Sequence, residues 1–351
     1  MNFASDNAAG VAPEILAAIA AANEGSALAY GNDAFTRRVE QRFAALFERE
    51  VTVFLVPTGT AANALAIAHL TPPWGAVLCH AEAHIATDEC GAPEFFGGGI
   101  KLIGLPGVAC KIGADQLAAA LEGGQWGGPH HVSPAMLSLS QATEAGTVYQ
   151  PDEVRRLAAV AHARGMSVHM DGARLANALA RLDATPAEAT WKAGVDVLSF
   201  GATKGGALAA EAILFFDPAR AAGMQERRKR AGHLLSKHRF AAVQMEAYLA
   251  DNLWLRLARH ANAMADQLGQ GLTTAGYRPV WPVEANEVFV ALPRAVCERL
   301  QNAGASFYPW TTDSGPAGSA LGDGSMLVRL VCSFATVAAE VKRFIATVNA
   351  G

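Results

Sequence analysis

The sequence predicts an α/β protein with a mostly parallel central sheet covered by helices, followed by a smaller α+β C-terminal domain. Three observations carry this. Between about residue 35 and residue 216, short apolar runs alternate with helix-compatible stretches, the pattern of a parallel sheet with both faces covered. From about 240 to 270 the pattern is helical throughout, in "VQMEAYLADNLWLRLARHANAMADQL". Two more apolar strands follow, "EVFVAL" (287–292) and "SMLVRLVCSF" (325–334). The large domain is expected over 1–245 and the small one over 246–351.

Each element has its own signal. In "AFTRRVEQRFAALFERE", Phe35, Val39, Phe43 and Leu46 fall on one helical stripe. "VTVFLV" (51–56) is short and β-branched, and "TAANALAIAHL" (60–70) is small, apolar and helix-compatible. Strands are expected at "AVLCH" (76–80), "MLSLS" (136–140), "SVHM" (167–170), "VDVLSF" (195–200) and "AILFF" (212–216). "PDEVRRLAAVAHARG" (151–165) reads as a helix stopped by Gly165. "GPAGSALGDG" (315–324) is expected to be a mobile loop.

Composition narrows the function. Of 351 residues 51% are apolar and 17% charged, as in a well-packed enzyme rather than a disordered chain. A net charge of −4 gives no global attraction to nucleic acid or anionic membranes. The start, "MNFASDNAAG", lacks the basic and apolar parts of a signal peptide, and no apolar run is long enough to span a bilayer. Cys79, Cys90, Cys110, Cys297 and Cys332 are scattered, odd in number and never spaced CxxC. They suit reduced thiols in the cytoplasm and offer no zinc site.

The chemistry centres on "VDVLSFGATKGG" (195–206), where an apolar strand ends in a loop of small residues holding Lys204. A lysine there is poorly hydrated, and poor hydration leaves an amine nucleophilic and suited to a Schiff base. Asp171 follows strand "SVHM", at the strand end where open α/β sheets bind ligands. It can pair with a pyridinium nitrogen or cap the helix beginning near Arg174. In "PTGTAAN" (57–63), Gly59 permits close backbone approach, and the N–H groups of Thr60 and Ala61 are expected to face a phosphate. A plain tight turn is the alternative.

His84 can stack on a cofactor ring or relay a proton, and His130 and His131 are further acid–base candidates. Glu82 and Glu89 are readable as surface charges. Arg329 interrupts an apolar strand. Buried, it needs a carboxylate, which an amino-acid substrate could supply, with Arg174 joining it from the other domain; on an edge strand it would face water. The basic run "RRKR" (227–230) has no interleaved aromatic and reads as a solvated face.

In order and spacing, "ASDN" (4–7), "YGND" (30–33), "GTAAN" (59–63), "AHIATDECGAPEFF" (83–96), "SQATEAGTVY" (140–149), "HMDGAR" (169–174), "FGATKGG" (200–206), "SKHRF" (236–240) and "RLVCSF" (329–334) together resemble the low-specificity L-threonine aldolases. These are pyridoxal-phosphate enzymes of fold type I.

The resemblance implies cleavage of L-threonine, L-allo-threonine and related β-hydroxy-α-amino acids to glycine and an aldehyde. Another pyridoxal-phosphate reaction or a bulkier substrate such as phenylserine is the alternative. It implies that Lys204 carries the cofactor as an imine, Asp171 pairs with the ring nitrogen, and Gly59 and Thr60 hold the phosphate. His84 would stack on the ring and could act as base for the substrate hydroxyl. His130, or His131 in the other register, would lie near that hydroxyl. Ser5, Arg174 and Arg329 would grip the substrate carboxylate, Arg174 also lying by the cofactor. Tyr30 and a basic residue near Lys237 would come from a neighbouring subunit, implying a homodimer or homotetramer. Two departures stand near the site: "SQATEA" where "ENTHN" is common, and "GGALAA" after the lysine.

Overall fold

The computed structural model describes residues 1–311 and 324–350. Residues 315–323 of the expected mobile loop lie outside them.

Among the described residues the central sheet has seven strands: β1 (Thr52–Val56), β2 (Gly75–His80), β3 (Lys101–Leu105), β4 (Ser133–Ser140), β5 (Ser167–Gly172), β6 (Val197–Gly201) and β7 (Glu211–Phe215). Their order is β1-β7-β6-β5-β4-β2-β3. Strands β2 to β6 pair in parallel, and β7 runs antiparallel to both of its neighbours. Only residues 202–210 separate β6 from β7, too short a link for a parallel crossover. The sheet is therefore mostly parallel, as expected, with one reversal at the lysine loop. Sequence periodicity missed β3, an edge strand interrupted by Gly104.

The stretch expected to be all helix is two helices, Arg239–Leu249 and Leu253–Thr274. The break lies at Asp251 and Asn252, both with positive φ. The second helix joins the two cores. Leu253, Trp254 and Ala258 pack under the large sheet, while Met264, Ala265, Leu268 and Leu272 pack against the smaller one.

The smaller sheet has the order β8-β10-β9, from β8 (Glu287–Pro293), β9 (Tyr308–Pro309) and β10 (Ser325–Val331). Its apolar face is covered by helices including Arg294–Asn302 and Ala338–Val348. The chain's start joins this core: Phe3 packs edge-on against Phe344 at 5.2 Å, and Asn2 bridges to Ser306. Residues 5–7 are thereby carried to the junction between the sheets. Among the described residues, no helix is long and apolar enough to cross a membrane.

Candidate active site

The C-terminal ends of β4, β5 and β6 lie side by side, Ser140 opposite Asp171 and Asp171 opposite Ser199. A cavity of about 410 Å³ opens beside them, lined by Lys204, Asp171, His84, Gly59 and Thr60, and also by Ser5, Arg174 and Arg329. Residues spread over more than 300 positions thus meet at the place where parallel sheets bind ligands.

Small residues around Lys204 permit close approach. A Cβ on Gly201 would stand 2.7 Å from Ala173 Cα, and one on Gly205 only 2.0 Å from the Tyr248 hydroxyl. The loop is therefore pressed between the exit of β5 and a buried tyrosine. Beneath it, the Glu211 carboxylate accepts the N–H groups of Thr203 (3.2 Å) and Ala202 (3.3 Å). Burial pushes the Glu211 carboxyl up to about 7, against its bonds to Thr203 and the charge of Lys204.

Asp171 is buried. Its Oδ2 accepts from Asn63 Nδ2 at 2.8 Å and its Oδ1 from the Ala173 N–H at 2.9 Å. The helix Leu175–Arg181 has Arg174 as its N-cap, so Asp171 is not a cap. Asn63 Nδ2 also donates to Glu89 Oε1 at 2.8 Å, and His84 Nδ1 lies 2.9 Å from the same oxygen. A hydrogen-bonded chain Asp171–Asn63–Glu89–His84 results, and the Asn63 amide between the two carboxylates accounts for their closeness.

Glu89 is therefore no surface charge but a buried partner of His84. That bond raises the proton affinity of His84, opposed by burial and assisted by Asp171. Burial also raises the Glu89 carboxyl, against its bond to His84. With Nδ1–H directed at Glu89, Nε2 is left as the proton acceptor.

Arg174 is held in place by carboxylates. Its Nε and one Nη donate to the two oxygens of buried Asp6 at 2.8 and 3.1 Å, and Glu287 lies 3.5 Å away. Asp6 also accepts from Asn286 at 3.1 Å. Burial would raise the Asp6 carboxyl, but Arg174 and Lys204 together outweigh it and hold it below the usual range. Nη1 is the Arg174 nitrogen these carboxylates leave unengaged.

Arg329 sits on the middle strand of the small sheet, opposite both Phe289 and Tyr308, so it is not on an edge. Its guanidinium stacks on Trp310 at 4.6 Å, and among the described residues its buried Nε has no hydrogen-bond partner.

At the Gly59–Leu70 helix, Thr58 is the N-cap. Its Oγ1 accepts from the Ala61 N–H at 3.1 Å and its carbonyl from the Ala62 N–H at 3.1 Å. The N–H groups without an intrahelical acceptor at this end are therefore those of Gly59 and Thr60, not the expected Thr60 and Ala61. A Cβ built on Gly59 meets nothing within 4 Å, so open space lies beside the turn.

His130 and His131 are not brought to this cavity. Both are exposed and precede β4, at the N-terminal end of the parallel strands, with an eight-residue strand of about 25 Å between them and Ser140. Within this chain, Ser140, Thr143 and Glu144 line the cavity from the end of β4 and the loop after it. Tyr30 and Lys237 are also exposed and outside their own chain's cavity. They are neighbours, however: the Tyr30 N–H donates to the Ser236 carbonyl at 3.0 Å.

The run 227–230 is not simply a solvated face. Arg228 is buried and donates to the Leu55 carbonyl at 3.0 Å, tying the helix Met224–Arg230 to β1. None of the five cysteines forms a disulfide, and Cys90 alone is exposed.

Fold and cavity together define a class: an enzyme of the fold type I architecture, with a lysine and an aspartate at adjacent strand ends. The beta-eliminating lyase family matches residues 2–295. The low specificity L-threonine aldolase of Pseudomonas sp. (strain NCIMB 10558) is 41% identical over 349 residues, covering 99% of this chain and 97% of its own. That of Pseudomonas aeruginosa is 44% identical, covering 89% of this chain and 90% of its own. Among solved structures, the Leishmania major threonine aldolase superposes with a TM-score of 0.91 at 30% identity, over 99% of this chain and 98% of its own. The chain belongs to the beta-eliminating lyase family, alongside the low-specificity L-threonine aldolases.

Proposed function

We propose that this chain is a pyridoxal-phosphate-dependent lyase that cleaves L-threonine, L-allo-threonine and related β-hydroxy-α-amino acids to glycine and an aldehyde. The observation that carries the reading is the convergence of Lys204, Asp171, the His84–Glu89 pair and two arginines on one cavity. The residues fit the cofactor: a buried carboxylate for a ring nitrogen, an amine, and two helix N–H groups beside open space for a phosphate. Once bound, pyridoxal phosphate supplies the electron sink for the pair left on the α carbon.

The chain's own groups do the rest. Lys204 Nζ would be the covalent anchor, and the Gly59 and Thr60 N–H groups would hold the phosphate. Asp171 would pair with the ring nitrogen and favour its protonated form. Arg329 and the free edge of Arg174 grip the substrate carboxylate, which fixes the bond that is held for cleavage. His84 Nε2 takes the β-hydroxyl proton as the Cα–Cβ bond opens, and Glu89 stabilises the charge that develops on the imidazole.

The enzyme works as a cytoplasmic homodimer or homotetramer. Tyr30 and Lys237, adjacent on an exposed face and absent from their own cavity, would complete the site of a second copy.

Product analysis after incubating L-threonine with the cofactor-supplied protein tests the reading. Equimolar glycine and acetaldehyde are expected. A keto acid with ammonia, or D-allo-threonine from inversion at the α carbon, would replace it with elimination or racemisation.

A further inference from the structure

Glu144 lies in the loop between β4 and the helix Pro151–His162, within the departure noted at "SQATEA". The loop is stapled shut. The Gln141 side chain donates to the Tyr149 carbonyl at 2.8 Å and accepts its N–H at 3.0 Å. Inside that ring, the hydroxyls of Thr143 and Thr147 meet at 2.8 Å, and the Thr143 N–H donates to the Thr147 carbonyl at 2.9 Å.

From this frame Glu144 Oε1 accepts the backbone N–H of His84 at 2.9 Å and the Ser140 hydroxyl at 2.5 Å. His84 opens a single helical turn, His84–Thr87, whose N-cap residue Ala83 makes no side-chain capping bond. The acceptor that the turn lacks locally is thus supplied from 60 residues away. Glu89 holds the His84 ring and Glu144 holds its backbone.

We propose that Glu144 is a positioning residue for the reaction, seating His84 at the cavity through its backbone N–H; this rests on the proton-transfer role given to His84 above. What matters is the reach of Oε1 rather than charge. Burial pushes the carboxyl up to about 7, and an amide oxygen at Oε1 accepts the same two donors, so a neutral side chain of equal length serves to hold His84.

Two substitutions separate reach from charge. Glu144→Gln keeps the length and the acceptor, whereas Glu144→Asp keeps the acid but is one methylene too short. In the cofactor-loaded enzyme, Glu144→Gln should keep kcat within about threefold, and Glu144→Asp should lose between about ten- and a hundredfold, with KM little changed. Hydrogen–deuterium exchange of a peptide spanning residues 81–90 should quicken at the His84 amide in the Asp variant only.

Wild-type kcat with a protected amide in Glu144→Asp would overturn the proposal, as would equal losses in the two variants. Faster exchange with unchanged kcat would overturn it too, and would place the failure in the role given to His84 rather than in the contact.

Discussion

Replacing Glu89 by Gln isolates what the His84 partner contributes. The amide oxygen can still accept from His84 Nδ1 and Asn63 Nδ2, which lie 2.9 and 2.8 Å from Glu89 Oε1, so the geometry survives while the charge is lost. A hydrogen bond to a charged group contributes about 1.5–3 kcal/mol. The His84 side chain is 40% exposed, and solvent screening puts the effect at the lower end, about 1.5 kcal/mol. If that interaction strengthens as the imidazole takes the β-hydroxyl proton, kcat should fall about tenfold with KM unchanged.

The pH sign follows from the same contact. Glu89 raises the proton affinity of His84, so removing the charge lowers it, and the acid limb of the rate profile should move to lower pH. Glu89 Oε2 is buried without a partner among the described residues, so the amide nitrogen placed there should also cost about 1–3 kcal/mol of stability. The assay is kcat and KM for L-threonine across pH, with a thermal midpoint measured beside them. Wild-type kcat with an unmoved acid limb would refute the pairing as a working one.

Two further outcomes concern Arg329 and Glu211. Arg329→Leu should raise KM for L-threonine at least about tenfold while leaving cofactor absorbance intact, since a carboxylate held by a guanidinium contributes about 1.5–3 kcal/mol; an unchanged KM would remove Arg329 from the substrate grip. Burial holds the Glu211 carboxyl at about 7 in the folded state, against its ordinary value of 4.5, so the folded state keeps a proton that the unfolded chain loses between those pH values. Its contribution to stability therefore falls as pH rises through that window, and Glu211→Gln should gain in thermal midpoint relative to wild type on going from pH 5 to pH 7.5. Equal differences at both pH values would show that Glu211 does not titrate there.

The groups legible in the sequence are those that end a strongly patterned element. Lys204 closes an apolar strand, Asp171 stands at the end of another, and Gly59 joins a β-branched run to a small-residue helix. The groups that orient them were not legible, because their partners are remote: Asn63 meets Glu89 across 26 positions and Asp171 across 108, and Asn286 meets Asp6 across 280. No local period records such meetings. Glu89 looked like an ordinary surface charge because the one-turn helix beside it is too short to show which side is buried. His130 and His131 come before their strand, and parallel sheets bind ligands at the other end, which keeps both out of their own chain's cavity. Arg228 shows the reverse difficulty, since a run of four basic residues does not reveal which of them points inward.

The proposed chemistry depends on Lys204 as the point of covalent attachment. Borohydride reduction of the cofactor-loaded protein, followed by peptide mapping, tests this most directly. The mass of reduced phosphopyridoxyl is predicted on Lys204 alone, with no stable adduct in Lys204→Ala. A label on another lysine, or none in a protein that has taken up the cofactor, would contradict it.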